Sequence, residues 1–464
     1  MPAVRKHPPR ALLLWPLAMA FFFDVSGGPY GLESLMQSGP GMAILLILIT
    51  PIIWSAPAAL LTAELASALP NEGGYYVWVK RCMGPFWSFT CGWWTWVYSW
   101  VDAAIYPALF AGYIGTLFTL LGRNTAIESN NWLKWAVGMA VIIPFTWLNV
   151  RGVKIVGRTA VLFSILVIAP FVVLFAMGIP ALLANPAAAI HPFTPPDQTA
   201  GQAFSAGLFV VMWNYLGWDS LSTVAEEVQE PQKTYPRALA ICLPIVVLVY
   251  LLPTLVGLVA YPDYKSWSDG SWTTVASHIG GPWLAILIDA IGLISAAGLF
   301  MATLLGASRI PFVLAEDGFL PKSIARLHPR YGTPWVAILI SAIFYTVLSF
   351  KSFEDLAELD VVVYSSAILI EFAALLILRW KEPDLPRPYK IPGGWPVVIL
   401  VALMPAAMVV FAVYSEFTTA DSVAEAVKTF WMSIVALATG PIMYFISKAI
   451  SRRGVPPGEQ EMVS

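Results

Sequence analysis

Charged residues are scarce in this sequence. Only 12% of its 464 residues are Asp, Glu, Lys or Arg, about half of the roughly 25% found in an average soluble protein. No charged side chain occurs from Thr159 to Ile190 or from Ala238 to Pro262, and each run is longer than the about 20 residues that cross a bilayer as a helix. The scarcity excludes water-soluble enzyme folds and predicts an all-α polytopic membrane protein.

Cysteine and histidine are also rare. The three cysteines and four histidines are scattered along the chain, so they predict neither a disulfide framework nor a metal site, and we expect no metal and no cofactor. A net charge of −2 without a basic tail excludes a nucleic-acid partner. No catalytic motif of His, Cys and acidic residues is present, which argues against a membrane-embedded enzyme.

Apolar runs bounded by glycine, proline and charge predict twelve transmembrane helices. The first lacks a signal-peptide cleavage motif and is therefore expected to remain as a span. A tail of residues 1–11 precedes the helices, and a tail of residues 448–464 follows them. The predicted spans are 12–37, 43–69, 86–121, 132–150, 155–183, 201–228, 237–259, 282–313, 334–350, 358–378, 396–415 and 429–447.

The distribution of basic residues orients these spans. When the N-terminus is placed in the cytoplasm, 21 of the 26 Lys and Arg residues fall on the inner side and five on the outer side. Membrane proteins retain positive charge on the cytoplasmic side. We therefore predict a multi-pass protein of the cell membrane with both tails in the cytoplasm. The amphipathic segment Asn71–Gly84 is expected to form an interfacial helix between spans two and three.

Polar, helix-breaking stretches interrupt spans one and six, from Asp24 to Gly31 and from Trp213 to Ser220. Unwound backbone is tolerated at membrane depth only where it lines protein or a water-filled cavity. Because the breaks lie five spans apart, the five spans that begin with span six enter the membrane from the side opposite to the first five, as in the inverted repeats of secondary transporters. The alternative interpretation is that the breaks are two helix kinks without function. The predicted organisation is a first repeat over 12–183, a second over 201–378 and two further helices over 396–447.

Five segments of the sequence share a pattern with a known group of proteins: Phe23–Glu33, Ala68–Tyr75, Val101–Pro107, Trp218–Thr223 and Glu382–Tyr389. They resemble the amino acid–polyamine–organocation transporters, and among these the plant-type polyamine uptake transporters and the L-type amino acid transporters. The resemblance implies a LeuT-like fold of twelve helices, with a five-plus-five inverted repeat and discontinuous helices 1 and 6. It implies transport of polyamines or amino acids.

Asp24 ends the first half of span one, and a carboxylate embedded in a membrane indicates a functional site. Many amino acid permeases of this superfamily have a run of small residues here, whose N–H groups hold the substrate carboxylate. This chain instead offers a carboxylate, and its Pro29 has no N–H to donate. Both changes favour a substrate rich in ammonium groups, whereas a helix cap is the alternative role of Asp24. The neighbours expected to bind substrate with it are Val25, Ser26, Gly27 and Gly28.

The break in span six begins at Trp213 and contains a second acid, Asp219. Arginine/agmatine exchangers of the superfamily are similar here, with a tryptophan and an acid in the same positions. The resemblance implies that Trp213 stacks on or gates the cation and that Asp219, together with Asp24, carries a coupling proton. A packing tryptophan and a helix-capping aspartate are the alternatives. Asn214 and Trp218 of the same break are expected to contribute to substrate binding.

Asp102 and Tyr106 are four residues apart and therefore share one face of span three. Asp102 is the only charged residue between Pro85 and Gly122. The pair is expected to hold the distal ammonium of a diamine, or alternatively to form a hydrogen bond between helices. In span ten, Tyr364 is expected at the substrate site and Glu371 as a network partner.

The other acids near the spans are expected to have structural roles. Glu64 lies near the inner end of span two and is predicted to form an ion pair. Glu226 and Glu227 lie at the inner end of span six, where loop cations such as Arg237 are the expected partners.

These patterns predict a secondary active transporter that takes up polyamines or related organic cations together with protons. Span eight offers Ser295, Thr303 and Ser308 to a sodium site, but the number of embedded acids favours H⁺. The alternatives are an amino acid permease, an amino acid/amine exchanger and a transport-dead nutrient sensor. The sensor is disfavoured because only about ten residues precede span one and about fifteen follow span twelve. The predicted partners are a small-molecule substrate and the lipid bilayer, and an accessory subunit is left open.

Overall fold

The structure, a computed structural model, describes residues 10–123, 127, 130–350, 354–419 and 423–453. Most of the two predicted tails, residues 1–9 and 454–464, lies outside these ranges. Within them there is no strand, only two isolated β-bridges, which confirms the all-α class. The helices are α1 Leu14–Val25, α2 Pro40–Thr50, α3 Ala56–Ala68, α4 Tyr75–Met83, α5 Pro85–Leu120, α6 Asn131–Arg151, α7 Val153–Ala184, α8 Ala200–Trp213, α9 Pro231–Ala260, α10 Ser271–Gly280, α11 Pro282–Ala307, α12 Arg309–Glu316, α13 Trp335–Leu348, α14 Glu354–Lys381, α15 Gly394–Thr419 and α16 Val423–Arg453.

Nine helices in the described part of the chain are long and apolar enough to cross a membrane. Pro40–Ala68, which joins α2 and α3 through a π-helical turn at Pro51–Ser55, counts as one of them. Three shorter apolar helices, α1, α8 and α13, lie where predicted spans one, six and nine begin. The chain is therefore a multi-pass helical membrane protein.

The two broken spans are less helical than the sequence predicts. After α1, the chain runs through turns and bends until a 3-10 helix at Glu33–Ser38. After α8, only two 3-10 turns follow, Ser220–Thr223 and Ala225–Glu227, so the expected helix up to residue 228 is wrong. The hydroxyl of Thr223 bonds the carbonyls of Ser220 and Gly306, each at 2.9 Å. Short polar side chains that bond nearby backbone in this way compete with helix formation.

The two breaks touch each other, and glycine makes this contact possible. A Cβ added to Gly217, whose φ is 93°, would lie 2.6 Å from the carbonyl oxygen of Asp24. A Cβ added to Gly31, whose φ is 84°, would lie 2.6 Å from the ring of Trp213. Only glycine readily combines a positive φ with so close an approach. The backbone of each break is thereby placed against the other.

Two helices lie between the spans. The predicted interfacial segment Asn71–Gly84 contains α4, as expected. The sequence-based assignment missed α10, a ten-residue amphipathic helix between spans seven and eight whose polar residues hide it from a search for apolar runs. Its Trp272 donates an indole N–H to the carbonyl of Pro29 at 2.7 Å, which ties α10 to the first break.

A group of contacts closes the end of the fold that is predicted to face the cytoplasm. The amides of Ala11 and Leu12 donate to the Glu227 carbonyl at 2.9 and 3.0 Å, and bridges join Leu12 to Val228 and Glu72 to Val224. These contacts connect the start of α1, the turn after the second break and the loop before α4.

An ion pair in the same region is buried. Arg309 of α12 donates two N–H groups to one Glu227 oxygen, at 2.8 and 3.2 Å, and both side chains are at most 4% exposed. Glu227 therefore pairs with Arg309 rather than with loop cations such as Arg237. Glu64 forms the predicted ion pair, with Arg379 and Arg387.

Replacing Arg309 by methionine is expected to lower the free energy of unfolding by about 3–5 kcal/mol, because it leaves a buried carboxylate without its partner. The measurement is unfolding in mixed detergent micelles. Replacing both partners, with Glu227→Gln added, is expected to recover most of the loss. Equal losses in the single and double variants would show that the pair itself contributes little.

Glu72 makes the folding stability of the protein depend on pH. Burial, and then the charge of Glu227, raises the pKa of the Glu72 carboxyl from 4.5 to about 8. Arg309 opposes the shift, whereas Glu226 and Glu316 add to it. The carboxyl is therefore protonated when buried and ionised when unfolded between pH 4.5 and 8. Rising pH through this window destabilises the folded protein, and the penalty is constant above about pH 8.

The variant Glu72→Gln is expected to lack this penalty. Between pH 5 and 8 it should lose less thermal stability than the parent protein, and thermal unfolding of the purified proteins across that range measures the difference. Parallel profiles for the two proteins would mean that Glu72 does not titrate in this window.

Candidate functional site

A cavity lies where the two breaks face α5, α11 and α14. It brings together three carboxylates and six aromatic rings, and no Lys, Arg or His is among the described residues that line it. The residues at its wall are Asp24, Val25, Ser26, Tyr30, Tyr75, Thr95, Tyr98, Asp102, Tyr106, Leu109, Tyr113, Trp213, Asn214, Leu216, Gly217, Ser220, Ser295, Ala296, Leu299, Thr303, Ala307 and Asp360. Seven of the twelve predicted substrate residues are in this wall.

Asp24 lies at the last turn of α1, where the helix ends against the second break. Its Oδ2 atom is buried and has no hydrogen-bond donor among the described residues. A buried carboxylate oxygen without a donor is costly unless a cation or a proton satisfies it. Asp24 is therefore well placed to accept an ammonium group from the cavity.

Asp102 and Tyr106 share the face of α5 that the spacing predicts. The Tyr106 hydroxyl donates to Asp102 Oδ1 at 2.6 Å, and the Thr303 hydroxyl of α11 donates to Oδ2 at 3.2 Å. The predicted alternative, a hydrogen bond between helices, is thus present as well. These bonds orient the carboxylate towards the cavity and leave it capacity to accept more.

The residues of the second break divide into two groups. Trp213 and Asn214 line the cavity, and the Asn214 side-chain amide donates to the Gly31 carbonyl at 3.0 Å, so this residue also ties the breaks together. Trp218 is fully buried outside the cavity wall. Its position is consistent with the packing role, and its contact with substrate stays a prediction.

Asp219 lies behind the cavity wall in a hydrogen-bonded chain. The Gly217 amide donates to the Tyr364 hydroxyl at 3.1 Å, and that hydroxyl donates to Asp219. The Glu371 carboxyl lies close enough to Asp219 for the two charges to interact. Neither Glu371 oxygen receives a hydrogen bond from an amide, hydroxyl or basic group in the described part of the chain. A carboxylate only accepts hydrogen bonds, so the two acids can bond only by sharing a proton.

The glycines of the first break shape the backbone and do not line the cavity. The Ser295 hydroxyl donates to the Gly27 carbonyl at 2.6 Å. The Gly28 amide donates to the Ser26 hydroxyl at 3.2 Å. Direct contact of Gly27 and Gly28 with substrate stays a prediction.

Asp360 and Tyr98 are two of the wall residues that the sequence did not predict for the site. Asp360 lies near the start of span ten, next to a polar stretch, and resembles a loop acid in the sequence alone. Its spacing from Tyr364, one helical turn, was the available signal. Tyr98 is one of many aromatic residues of span three, and only the structure shows its bond to Ser220, at 3.0 Å.

The arrangement can bind a cation, because carboxylates and the faces of aromatic rings both attract positive charge. A helical membrane protein with such a cavity between two broken helices is a transport protein in its general design. A profile of the amino acid permease family matches residues 14–440.

The chain is also similar to curated proteins over nearly its whole length. It is 35% identical to the polyamine transporter RMV1 of Arabidopsis thaliana, covering 98% of this chain and 88% of the relative. It is 34% identical to the polyamine transporter PUT1 of Oryza sativa subsp. japonica, covering 95% and 79%. A more distant relative, the branched-chain amino acid permease BcaP of Bacillus subtilis (strain 168), is 25% identical over 89% of this chain and 86% of its own.

The chain thus belongs to the amino acid permease family within the amino acid–polyamine–organocation superfamily, on the polyamine-transporter side that its sequence motifs predict. It is a transporter of small molecules and not an enzyme.

Proposed function

We propose that this protein takes up polyamines such as putrescine and spermidine across the cell membrane, in symport with protons. The observation that carries the proposal is the charge of the cavity: three carboxylates, six aromatic rings and no basic residue among its described wall residues. A polyamine supplies two or more ammonium groups on an apolar chain, which match both features.

An amino acid fits this cavity less well, because its α-carboxylate needs donors. The first break offers few: Pro29 has no N–H, and the Gly28 amide already bonds Ser26. The carboxylates of Asp24 and Asp102 would repel a second anion. An amino acid permease therefore remains the second candidate, supported by the likeness to BcaP.

Alternating access follows from the proposed architecture of twelve spans and two inverted repeats, 12–183 and 201–378. The breaks meet at the cavity, so movement of one repeat against the other would expose it to either side. The contacts of Leu12, Glu72 and Glu227 would then form the closure on the cytoplasmic side, which is also where we place both tails.

Proton coupling is proposed for the acids at the two breaks. Asp24 lies in the cavity wall. The Glu371 carboxyl is buried without a donor among the described residues and close enough to Asp219 for their charges to interact, so a proton held by this pair would relieve the repulsion between the two acids. A sodium site would use carbonyls of the first break and hydroxyls of α11, but here the Ser295 hydroxyl bonds the Gly27 carbonyl directly. That bond supports H⁺ over Na⁺.

Uptake into proteoliposomes tests the proposal, with labelled putrescine, spermidine, arginine and leucine offered under a pH gradient, under a sodium gradient and under neither. We expect putrescine and spermidine to accumulate when the outside is acidic. Accumulation of leucine alone would establish the amino acid permease, and accumulation that follows sodium and ignores pH would overturn proton coupling.

A further inference from the structure

Asp360 is a buried acid that faces the substrate cavity. Its side chain is 1% exposed, it lies in the cavity wall, and its Oδ1 atom has no donor among the described residues. It belongs to α14, whereas the other two wall acids belong to α1 and α5. The cavity therefore has an acid on each of three helices.

Capping of a helix does not explain Asp360. Helix α14 begins at Glu354, so Asp360 is its seventh residue. The stabilisation that acids gain from a helix N-terminus falls off within the first turn. Asp360 lies beyond that turn.

Asp360 and Asp102 form a pair. They line the same cavity and are close enough for their charges to interact. Asp102 is held in place by the hydroxyls of Tyr106 and Thr303, while Asp360 Oδ1 stays without a donor. Two buried carboxylates that line one cavity need a cation or a proton between them, and the described wall residues supply no basic side chain.

We propose that Asp102 and Asp360 together form a subsite for the second ammonium group of a dication, while Asp24 binds the first. This inference rests on the proposed function and specifies how the site distinguishes substrates. A monoamine engages one of the two positions and leaves the other carboxylates unpaired. A diamine or a longer polyamine engages both.

Competition in proteoliposomes tests this subsite. Labelled putrescine, well below its KM, reports uptake by the parent protein and by Asp360→Asn, and unlabelled putrescine, cadaverine and n-butylamine compete. We expect the inhibition constants of the two diamines to rise about 10- to 100-fold in the variant, as for the loss of one buried charged hydrogen bond. The constant of n-butylamine should change less than about threefold.

A second variant protects the test against misfolding of the first. Thr303→Val removes the donor that orients Asp102 and keeps every carboxylate. It should raise the inhibition constants of the two diamines by about 3- to 10-fold and leave that of n-butylamine nearly unchanged. Equal weakening of all three amines in both variants would overturn the subsite. So would unchanged inhibition constants accompanied by an altered pH dependence, because the pair would then hold a proton instead. If the parent protein takes up no polyamine, the proposed function itself is wrong, whatever the variants do.

Discussion

Replacing Asp24 by asparagine is expected to lower putrescine uptake by about 30-fold or more at low substrate concentration. The substitution keeps the size of the side chain, removes its charge and replaces one acceptor oxygen with an amide donor. Asp24 Oδ2 is buried, lies at the cavity and has no donor within the described residues. Loss of one member of a buried charge pair in a binding site costs about 2–5 kcal/mol. Initial rates of labelled putrescine uptake give the measurement.

Asp289 provides a matched control. It is also a buried aspartate of a membrane helix, 1% exposed in α11, but it does not line the cavity. Asp289→Asn is expected to change putrescine uptake by less than about threefold. Uptake that survives in Asp24→Asn, with normal amounts of folded protein, would show that the ammonium group binds elsewhere.

The general architecture could be predicted from the sequence because hydropathy and charge act over whole segments. Long apolar runs must be helical in a bilayer to satisfy their backbone groups, and acids at membrane depth are costly enough to indicate a site. Asp24 and Asp102 were found by that reasoning, and both line the cavity.

The remaining errors arise where neighbours in space decide the structure. The second half of span six forms turns because Thr223 bonds backbone groups of its own turn and of α11. Helix α10 is stabilised by burial of residues such as Trp272 against the first break, which hydropathy alone does not detect. Glu227 meets Arg309, 82 residues away along the chain.

The same limitation explains why the sequence did not predict Asp360 at the site. A single acid in the second turn of a span resembles the polar loop that precedes it. Its importance depends on the packing of α5 against α14, which places Asp360 in the same cavity wall as Asp102. Trp218 is the converse case, since it lies in the second break but is buried outside the described cavity wall, and its contact with substrate stays a prediction.

Glu371 is predicted to be needed for proton coupling but not for substrate binding. The variant Glu371→Gln is expected to retain exchange of external labelled putrescine for internal putrescine to within about threefold. Accumulation driven by an acidic exterior should fall nearly to the level without a gradient. Glutamine can still hydrogen-bond Asp219, but it cannot take up or release a proton. The transport cycle can then turn without proton movement and can no longer concentrate the substrate.

Counterflow and gradient-driven uptake, measured in the same proteoliposome preparation, distinguish coupling from structural damage. A misfolded variant loses both activities, whereas an uncoupled one loses only the second. Glu371→Asp keeps a titratable group on α14 and should restore part of the accumulation. Because Glu371 lies behind the cavity wall and within range of Asp219, the inhibition constants for putrescine should be nearly the same in all three proteins. Gradient-driven accumulation that is intact in Glu371→Gln would exclude this acid as the proton carrier and leave the coupling to Asp24 and Asp219.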